Sequence, residues 1–367
     1  LLSRKVREII KSYEPYEWEP SSTEIASKTG LPPEQILRFD LNTMPEKPVE
    51  LLNELAESLR SLPVNEYPEA SYSNARSALS AYTGRRPEEI IVTNGADEGI
   101  DIVTKTFVDP GDTVIITPPT YSMYRICSEI MAGYPIPVSR DKEFRIDVDR
   151  IIEVAGRGAK LIFLCNPNNP TGTATSCRDI ETLAEECDSV IVVDEAYYEF
   201  HGESAIDLTS RFENLIVLRT LSKAFGLAGA RVGYAIATEA TIKLLNKVRP
   251  PNSISTLSVA LLEIALKNLH AMRADVERIK ENRATLARQL AKIKGIHVYP
   301  SEANFLLARF ERPDAKTVYE QLLHRGIVAR RFNETSPVAN CLRFTVRRRE
   351  ENELLCEALR EIFTTIE

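Results

Sequence analysis

Lys223 stands in the stretch TLSKAFGLAGARVGY, Thr220 to Tyr234, directly behind the apolar run Asn214 to Leu218, NLIVL. That run reads as a strand buried on both faces, which places Ser222 and Lys223 just beyond its end, where an open α/β sheet takes its ligands. Small and apolar neighbours, Ala224 to Ala228, desolvate the ammonium and lower its pKa. The free amine is then competent to attack a carbonyl and form a Schiff base. Alone, a lysine in a glycine-rich loop is an ordinary solvated turn residue. The other loops must therefore supply the rest of a site.

Asp194 follows the apolar strand SVIVV, so its carboxylate sits at a strand end in a dry place and is costly unless paired. Asn94 to Glu98, NGADE, is a small-residue loop between the strand Ile90 to Thr93 and a helical stripe at Ile100, Val103, Thr104 and Phe107. Backbone N–H groups at Ala96 and Asp97, together with the positive end of the helix dipole, make an anion site there. Tyr121 in PPTYSMY offers a flat face for stacking, and Asn169 in NPNNPTG and Tyr197 in DEAYYEF offer hydrogen bonds. Taken singly these residues have plainer explanations: Asp194 a cap, the tyrosines packing, Arg231 a surface ion pair. Their joint occurrence at successive strand ends carries the argument.

The elements that position them alternate. Strands are expected at Thr113 to Thr117, Ile136 to Val138, Leu161 to Cys165, Val190 to Val193, Leu215 to Leu218 and Arg231 to Ala237. Helices are expected at Tyr121 to Met131, Asp147 to Val154 and Cys177 to Cys187. Near-continuous apolar strands separated by helices mean a mostly parallel sheet covered on both faces, with all four marked loops on one edge. Ahead lie a proline-broken arm, an alternating strand over Ile36 to Asn42, and a helix carrying Val49, Leu51, Leu52, Leu55, Leu59 and Leu62. Behind lies long helix, Ile242 to Val248 and then Leu257 to about Lys294 uninterrupted by proline. Strands Ile296 to Tyr299, Asn304 to Ala308 and Cys341 to Val346 with two more helices complete a smaller α+β unit. The expected division is an arm over 1–48 that also contributes to the small domain, a large domain over 49–245 and a small domain over 246–367.

The 367 residues, 43% hydrophobic and 27% charged, suit about two globular domains. A net charge of -7 argues against a broad nucleic-acid footprint. Six cysteines without a C-x-x-C pair and four scattered histidines indicate neither a disulfide framework nor a metal site. No apolar run reaches membrane-span length, and the charged amino terminus is unlike a signal peptide, so a cytoplasmic protein is expected. Leu1 is not a methionine, which leaves room for residues before it.

From about Leu41 to Arg343 the chain resembles the histidinol-phosphate aminotransferase family of pyridoxal-phosphate enzymes, which have the aspartate aminotransferase fold. The marks are Tyr67-Pro68, VTNGADEGID, PPTYSMY, NPNNPTG, VVDEAYYEF, TLSKAFGLAGARVGYAI, EANFLL and LRFTV. The resemblance implies a fold type I α/β architecture, with a mostly parallel mixed sheet in a large domain and a small α+β domain. It implies pyridoxal 5'-phosphate as cofactor, Lys223 as its covalent lysine and Asp194 as partner of the ring nitrogen. Tyr197 and Asn169 become ligands of the phenolic oxygen, Tyr121 the stacking ring, and Ala96, Asp97, Ser222 and Arg231 the phosphate clamp. Tyr67 resembles a tyrosine that reaches the neighbouring subunit's phosphate, so a homodimer is implied. Arg330 and Arg343 resemble the arginines for substrate phosphate and carboxylate, with Tyr16 and Asn304 as neighbours. An amino donor and a 2-oxo acid acceptor are the implied substrates. LNTMP at Leu41 to Pro45 departs from the family's fuller LNxNENP-like run.

Other readings are an aromatic aminotransferase or a threonine-phosphate decarboxylase of the same fold. A pyridoxal-phosphate-binding regulator would need a DNA-binding domain, and the segment ahead of Leu41 is too short and proline-broken to hold one. No phosphate-loop motif or G-x-G-x-x-G between strand and helix points to a nucleotide.

Overall fold

The computed structural model describes residues 2–366. Its strands in chain order are β1 (Leu37–Arg38), β2 (Ile90–Thr93), β3 (Thr113–Ile116), β4 (Tyr134–Pro137), β5 (Ala159–Cys165), β6 (Val190–Asp194) and β7 (Leu215–Thr220). They continue with β8 (Gly233–Ile236), β9 (Ile296–Val298), β10 (Phe305–Phe310), β11 (Ile327–Val328), β12 (Arg330–Arg331) and β13 (Cys341–Thr345). Seven of them form one sheet in the order β2-β8-β7-β6-β5-β3-β4. β8 runs antiparallel to both its neighbours, and the remaining pairs are parallel.

Alternation along β5 explains the two-sided burial. Leu161 and Phe163 pack with Ile100, Val103 and Tyr124 on one face, while Ile162 and Leu164 pack with Ile151, Ile180 and Leu183 on the other. Parallel register aligns Cys165 with Asp194 and Asp194 with Leu218, so the loops after β5, β6 and β7 leave the sheet at one level. The second sheet, β12-β13-β10-β9, is antiparallel. It joins the first through one apolar cluster that contains Tyr197, Leu221 and Phe225 as well as Phe305 and Phe344.

Beneath the strand ends, alternation sends the residue after Asp194 the opposite way. Glu195 accepts a 2.9 Å hydrogen bond from Arg219 Nε, and both side chains are buried. The Arg219 guanidinium lies 3.6 Å from the centre of the Tyr198 ring. Ser204 and the Ala205 N–H complete the carboxylate's partners.

Three expectations need correction. The long helix over Leu257 to Lys294 is two helices, Thr256–Lys267 and Leu269–Leu290. Asn268 leaves helical geometry at φ -107°, ψ 40° and turns its side-chain amide onto the Ile264 carbonyl, a local bond that competes with the helix ladder. The strand over Ile36 to Asn42 shrinks to β1, which pairs in parallel with β11, because the chain then turns away: the Phe39 carbonyl accepts from the Thr345 N–H of β13, and Asn42 adopts φ 53°. Arg231 likewise lies outside β8, at φ 52°. Within the proline-broken arm a helix, Ser22–Thr29, starts from a capping box of Ser21 and Glu24.

β8 passes very close to the helix Gly95–Phe107 at Gly233. A Cβ there would lie 2.5 Å from the Gly95 carbonyl carbon and 2.8 Å from the Ala96 nitrogen. Gly233→Ala therefore has to push backbone against backbone. It is expected to cost about 1–3 kcal/mol of stability, read as a lower midpoint in urea unfolding with an unchanged slope.

Candidate active site

A cavity of about 480 Å³ opens over the carboxyl ends of the parallel strands. All four marked loops reach it: Tyr121, Asn169, Asp194, Tyr197, Ser222 and Lys223 line its wall. Ala96, Asp97 and Arg231 line it from the helix amino terminus and the approach to β8, and Tyr16, Arg330 and Arg343 from the arm and the second sheet.

Lys223 Nζ lies 3.4 Å from the Leu41 carbonyl oxygen and 5.7 Å from the centre of the Tyr197 ring. Burial, seconded by the positive charge of Arg343, pulls its pKa down to about 8. At pH 7 about a tenth of such an amine is neutral, a few hundred-fold more than for an ordinary lysine. Asp194, at the end of β6, is buried, and burial pushes its carboxyl up to about 6. Its Oδ2 accepts a 2.7 Å bond from the Tyr124 hydroxyl and its Oδ1 a 3.1 Å bond from the Ala196 N–H. Tyr124 is fixed by stacking on Phe163 at 4.8 Å and 8°.

The opposite end of the cavity is an anion cradle. Gly95 has φ 77°, and a Cβ there would lie 2.7 Å from Arg231 Nη2, so only glycine lets the guanidinium rest against the helix amino terminus. Arg231 reaches Ser222 Oγ at 3.5 Å and pairs with Asp97 at 2.9 Å. Asp97 also accepts a 2.9 Å bond from the Tyr121 hydroxyl, which orients that ring.

On the side of the second sheet, β12 and β13 pair Arg330 directly opposite Arg343. Arg343 is buried. It donates at 2.5 Å to Asn169 Oδ1 and at 2.5 Å to the Asp40 carbonyl, while its Nε has no protein partner. Arg330 donates at 2.9 Å to Glu19, which also accepts from the Tyr16 hydroxyl at 3.3 Å. The Tyr16 ring meets that of Tyr121 edge-on at 6.4 Å.

Two sequence candidates lie off the cavity wall. Asn304 is buried behind it and donates to the Asn42 carbonyl at 3.0 Å, and its Oδ1 has no protein partner. Tyr67 is 86% exposed, on a loop away from the cavity of its own chain. Sequence reasoning missed Asn42, Tyr124 and Glu19. Asn42 donates to the Tyr197 hydroxyl at 3.0 Å from its left-handed backbone, the conformation asparagine tolerates best after glycine. Tyr124 was findable, because it follows Tyr121 at helical spacing. Nothing in the run EWEP singles out Glu19.

These residues fit pyridoxal phosphate. An amine whose pKa is lowered, a buried carboxyl aimed into the cavity, an aromatic wall and a cradle of helix N–H groups with Arg231 match the aldehyde, ring nitrogen, ring face and phosphate in turn. The fold and this site together define a pyridoxal-phosphate-dependent transaminase. The sequence matches the aminotransferase class I and II family over residues 34–359, and the chain belongs to that family. Amino and oxo-acid substrates follow from it.

Among relatives, histidinol-phosphate aminotransferase of Thermoanaerobacter pseudethanolicus is 42% identical over 329 residues, covering 89% of this chain and 92% of that one. The enzyme of the same name from Methanocaldococcus jannaschii is 35% identical and covers 99% of each chain. The crystal structure of histidinol-phosphate aminotransferase from Sinorhizobium meliloti in complex with pyridoxal-5'-phosphate superposes with a TM-score of 0.89 at 24% identity, over 99% of this chain and 98% of that one. Aspartate aminotransferase of Thermus thermophilus with maleate superposes with a TM-score of 0.78 at 22% identity, over 97% and 99%. The fold is thus that of the aspartate aminotransferases. Among the described residues no group of side chains is arranged to hold a metal ion, and no helix is long and apolar enough to cross a membrane.

The neutral amine is the reactive form, so capture of an aldehyde at Lys223 of cofactor-free protein is expected to rise about tenfold per pH unit below about 8 and to level off above. Arg343→Gln removes a neighbouring positive charge, raises the lysine's pKa and shifts the plateau to higher pH. Reductive trapping followed by peptide mapping measures both.

Proposed function

We propose that the protein transfers the amino group between L-histidinol phosphate and 2-oxoglutarate. The observation that carries this reading is the pair Arg330 and Arg343, brought side by side by the β12–β13 register and facing the cavity that holds Lys223. A guanidinium binds phosphate or carboxylate in a bidentate fork, so one pair serves a phosphate-bearing donor and a dicarboxylate acceptor in turn. The names of relatives at 35–42% identity over most of their length point the same way.

Pyridoxal phosphate, when bound, supplies an electron sink for the charge left on the substrate's α-carbon. Lys223 is the residue that holds the cofactor, and its freed Nζ takes and returns the proton of that carbon. Asp194 would pair with the ring nitrogen and keep it protonated, with Tyr124 fixing the carboxyl. Tyr197 and Asn169 would bind the phenolic oxygen, and Tyr121 would cover the ring. The helix start at Ala96 and Asp97, with Ser222 and Arg231, holds the phosphate. Arg343 takes an α-carboxylate, Arg330 the far carboxylate of a dicarboxylate, and the two together the phosphate, with Tyr16 beside Arg330. Asn304 braces Asn42 from behind.

We further infer a homodimer in which the exposed Tyr67 completes the phosphate site of the other subunit, in a cytoplasmic enzyme. Tyr67 is exposed, and so are the apolar side chains of Val49, Leu52, Leu59 and Val64 in the segment ahead of it. Mixing Tyr67→Ala with Lys223→Ala subunits is expected to restore part of the activity that each lacks alone, since one site of the mixed dimer is intact. No recovery in an assay of the refolded mixture overturns the shared site.

A half-reaction screen, following the cofactor's absorbance as each amine is added, tests the substrate. Rapid conversion by histidinol phosphate and by glutamate is expected. Response to phenylalanine or tyrosine alone, or release of carbon dioxide from phosphothreonine, overturns the reading. Arg330→Ala is expected to weaken the response to histidinol phosphate by ten- to a hundred-fold, about 1.5–3 kcal/mol for a charge-assisted contact, and the response to unphosphorylated aromatic amines far less.

A further inference from the structure

We propose that Glu19 is a specificity-determining residue, an internal carboxylate that occupies Arg330 and makes a substrate's distal anion compete for it. This rests on the assignment of Arg330 to the distal anion.

The geometry carries it. Arg330 and Arg343 stand directly opposite each other on antiparallel strands, where two like charges repel. Arg343 settles its charge on uncharged oxygens, the Asn169 amide and the Asp40 carbonyl. Arg330 settles its charge on an acid: its Nη1 is 2.9 Å from Glu19 Oε1, and its Nη2 is 3.8 Å from Glu17 Oε2. Glu19 is one-fifth exposed, matching Arg330, so the pair is neither loose on the surface nor sealed. Glu19 is held in place by the Tyr16 hydroxyl, and both residues line the cavity.

A carboxylate on a guanidinium is what a dicarboxylate's far end would supply. Glu19 is thus a resident occupant of the fork, and a ligand reaches Arg330 by sharing it with Glu19 or displacing Glu19. The cost falls on ligands with a distal anion and spares those without one. A phosphate on the α-substituent can rest on Arg343 as well as on Arg330, whereas the far carboxylate of a dicarboxylate, whose near carboxylate takes Arg343, depends on Arg330. Glu19 therefore tilts the site toward the phosphate-bearing partner and weakens the dicarboxylate, a preference that Arg330 alone would not give.

The test uses the loaded holoenzyme and two competitive inhibitors, glutarate with a distal carboxylate and butyrate without one. Glu19→Gln keeps the shape and removes the charge. It is expected to lower the inhibition constant of glutarate by about fivefold, the upper scale of a partly exposed ion pair, and to leave that of butyrate within about twofold. In Arg330→Gln the glutarate constant rises, and adding Glu19→Gln to that variant produces no further change, because the two residues act as one unit. An unchanged glutarate constant in Glu19→Gln, an equal fall for butyrate, or a fall that persists without Arg330 each overturns the proposal. None of these readings uses histidinol phosphate. Failure of wild-type protein to convert that amine would remove the substrate assignment and leave the Glu19 result standing or falling on its own.

Discussion

The site depends on the register of three parallel strands. β5, β6 and β7 are apolar on both faces and pair without slippage, so their last residues end at one level and their loops must share one edge. A slip of one residue would turn Asp194 into the sheet's underside and bring Glu195 up in its place. The two neighbouring carboxyls would then exchange surroundings, and the buried Arg219 would lose its partner. The hydrophobic packing of the two faces is thus what selects which acid lines the cavity and which pairs with Arg219.

Burial then converts residue types into reagents. The same exclusion of water moves Lys223 down and Asp194 up. The lysine gains nucleophilic character, while the carboxyl waits for a cationic partner to repay its desolvation. At the other end of the cavity, two positions without side chains, Gly95 and Gly233, allow a helix terminus, a strand and a guanidinium to meet at van der Waals distance. The two ends of the cavity therefore rest on different physics, dehydration around Lys223 and Asp194 and close backbone approach at Gly95 and Gly233.

Much of this was legible in the sequence because it follows from period and punctuation. Continuous apolar runs ended by polar, proline- or glycine-marked loops identify parallel strands and their ligand edge, and Lys223, Asp194, Tyr197 and Asn169 each sit in the loop that follows such a run or at its start. What was not legible depends on contacts between distant segments. Asn42 finds Tyr197 across 155 positions and Glu19 finds Arg330 across 311. Neither pairing leaves a trace in local spacing. The break at Asn268 was missed because proline was taken as the only signal, whereas a side-chain amide turned onto the preceding carbonyl ends a helix as well. Tyr67 is legible only by resemblance, since its own chain gives it no partner in the cavity.

The buried pair Glu195–Arg219, whose acid is the next residue after Asp194, bears on how variants of this protein reveal themselves. Deleting one partner of such a pair leaves an uncompensated charge worth about 3–5 kcal/mol, a large share of a typical folding free energy of about 5–15 kcal/mol. A cell carrying that change would run short of folded chain, while each surviving molecule worked at its normal speed. Growth-based selection would score Arg219 and Lys223 alike as indispensable, the first through abundance and the second through chemistry. Counting occupied sites per milligram of protein separates the two.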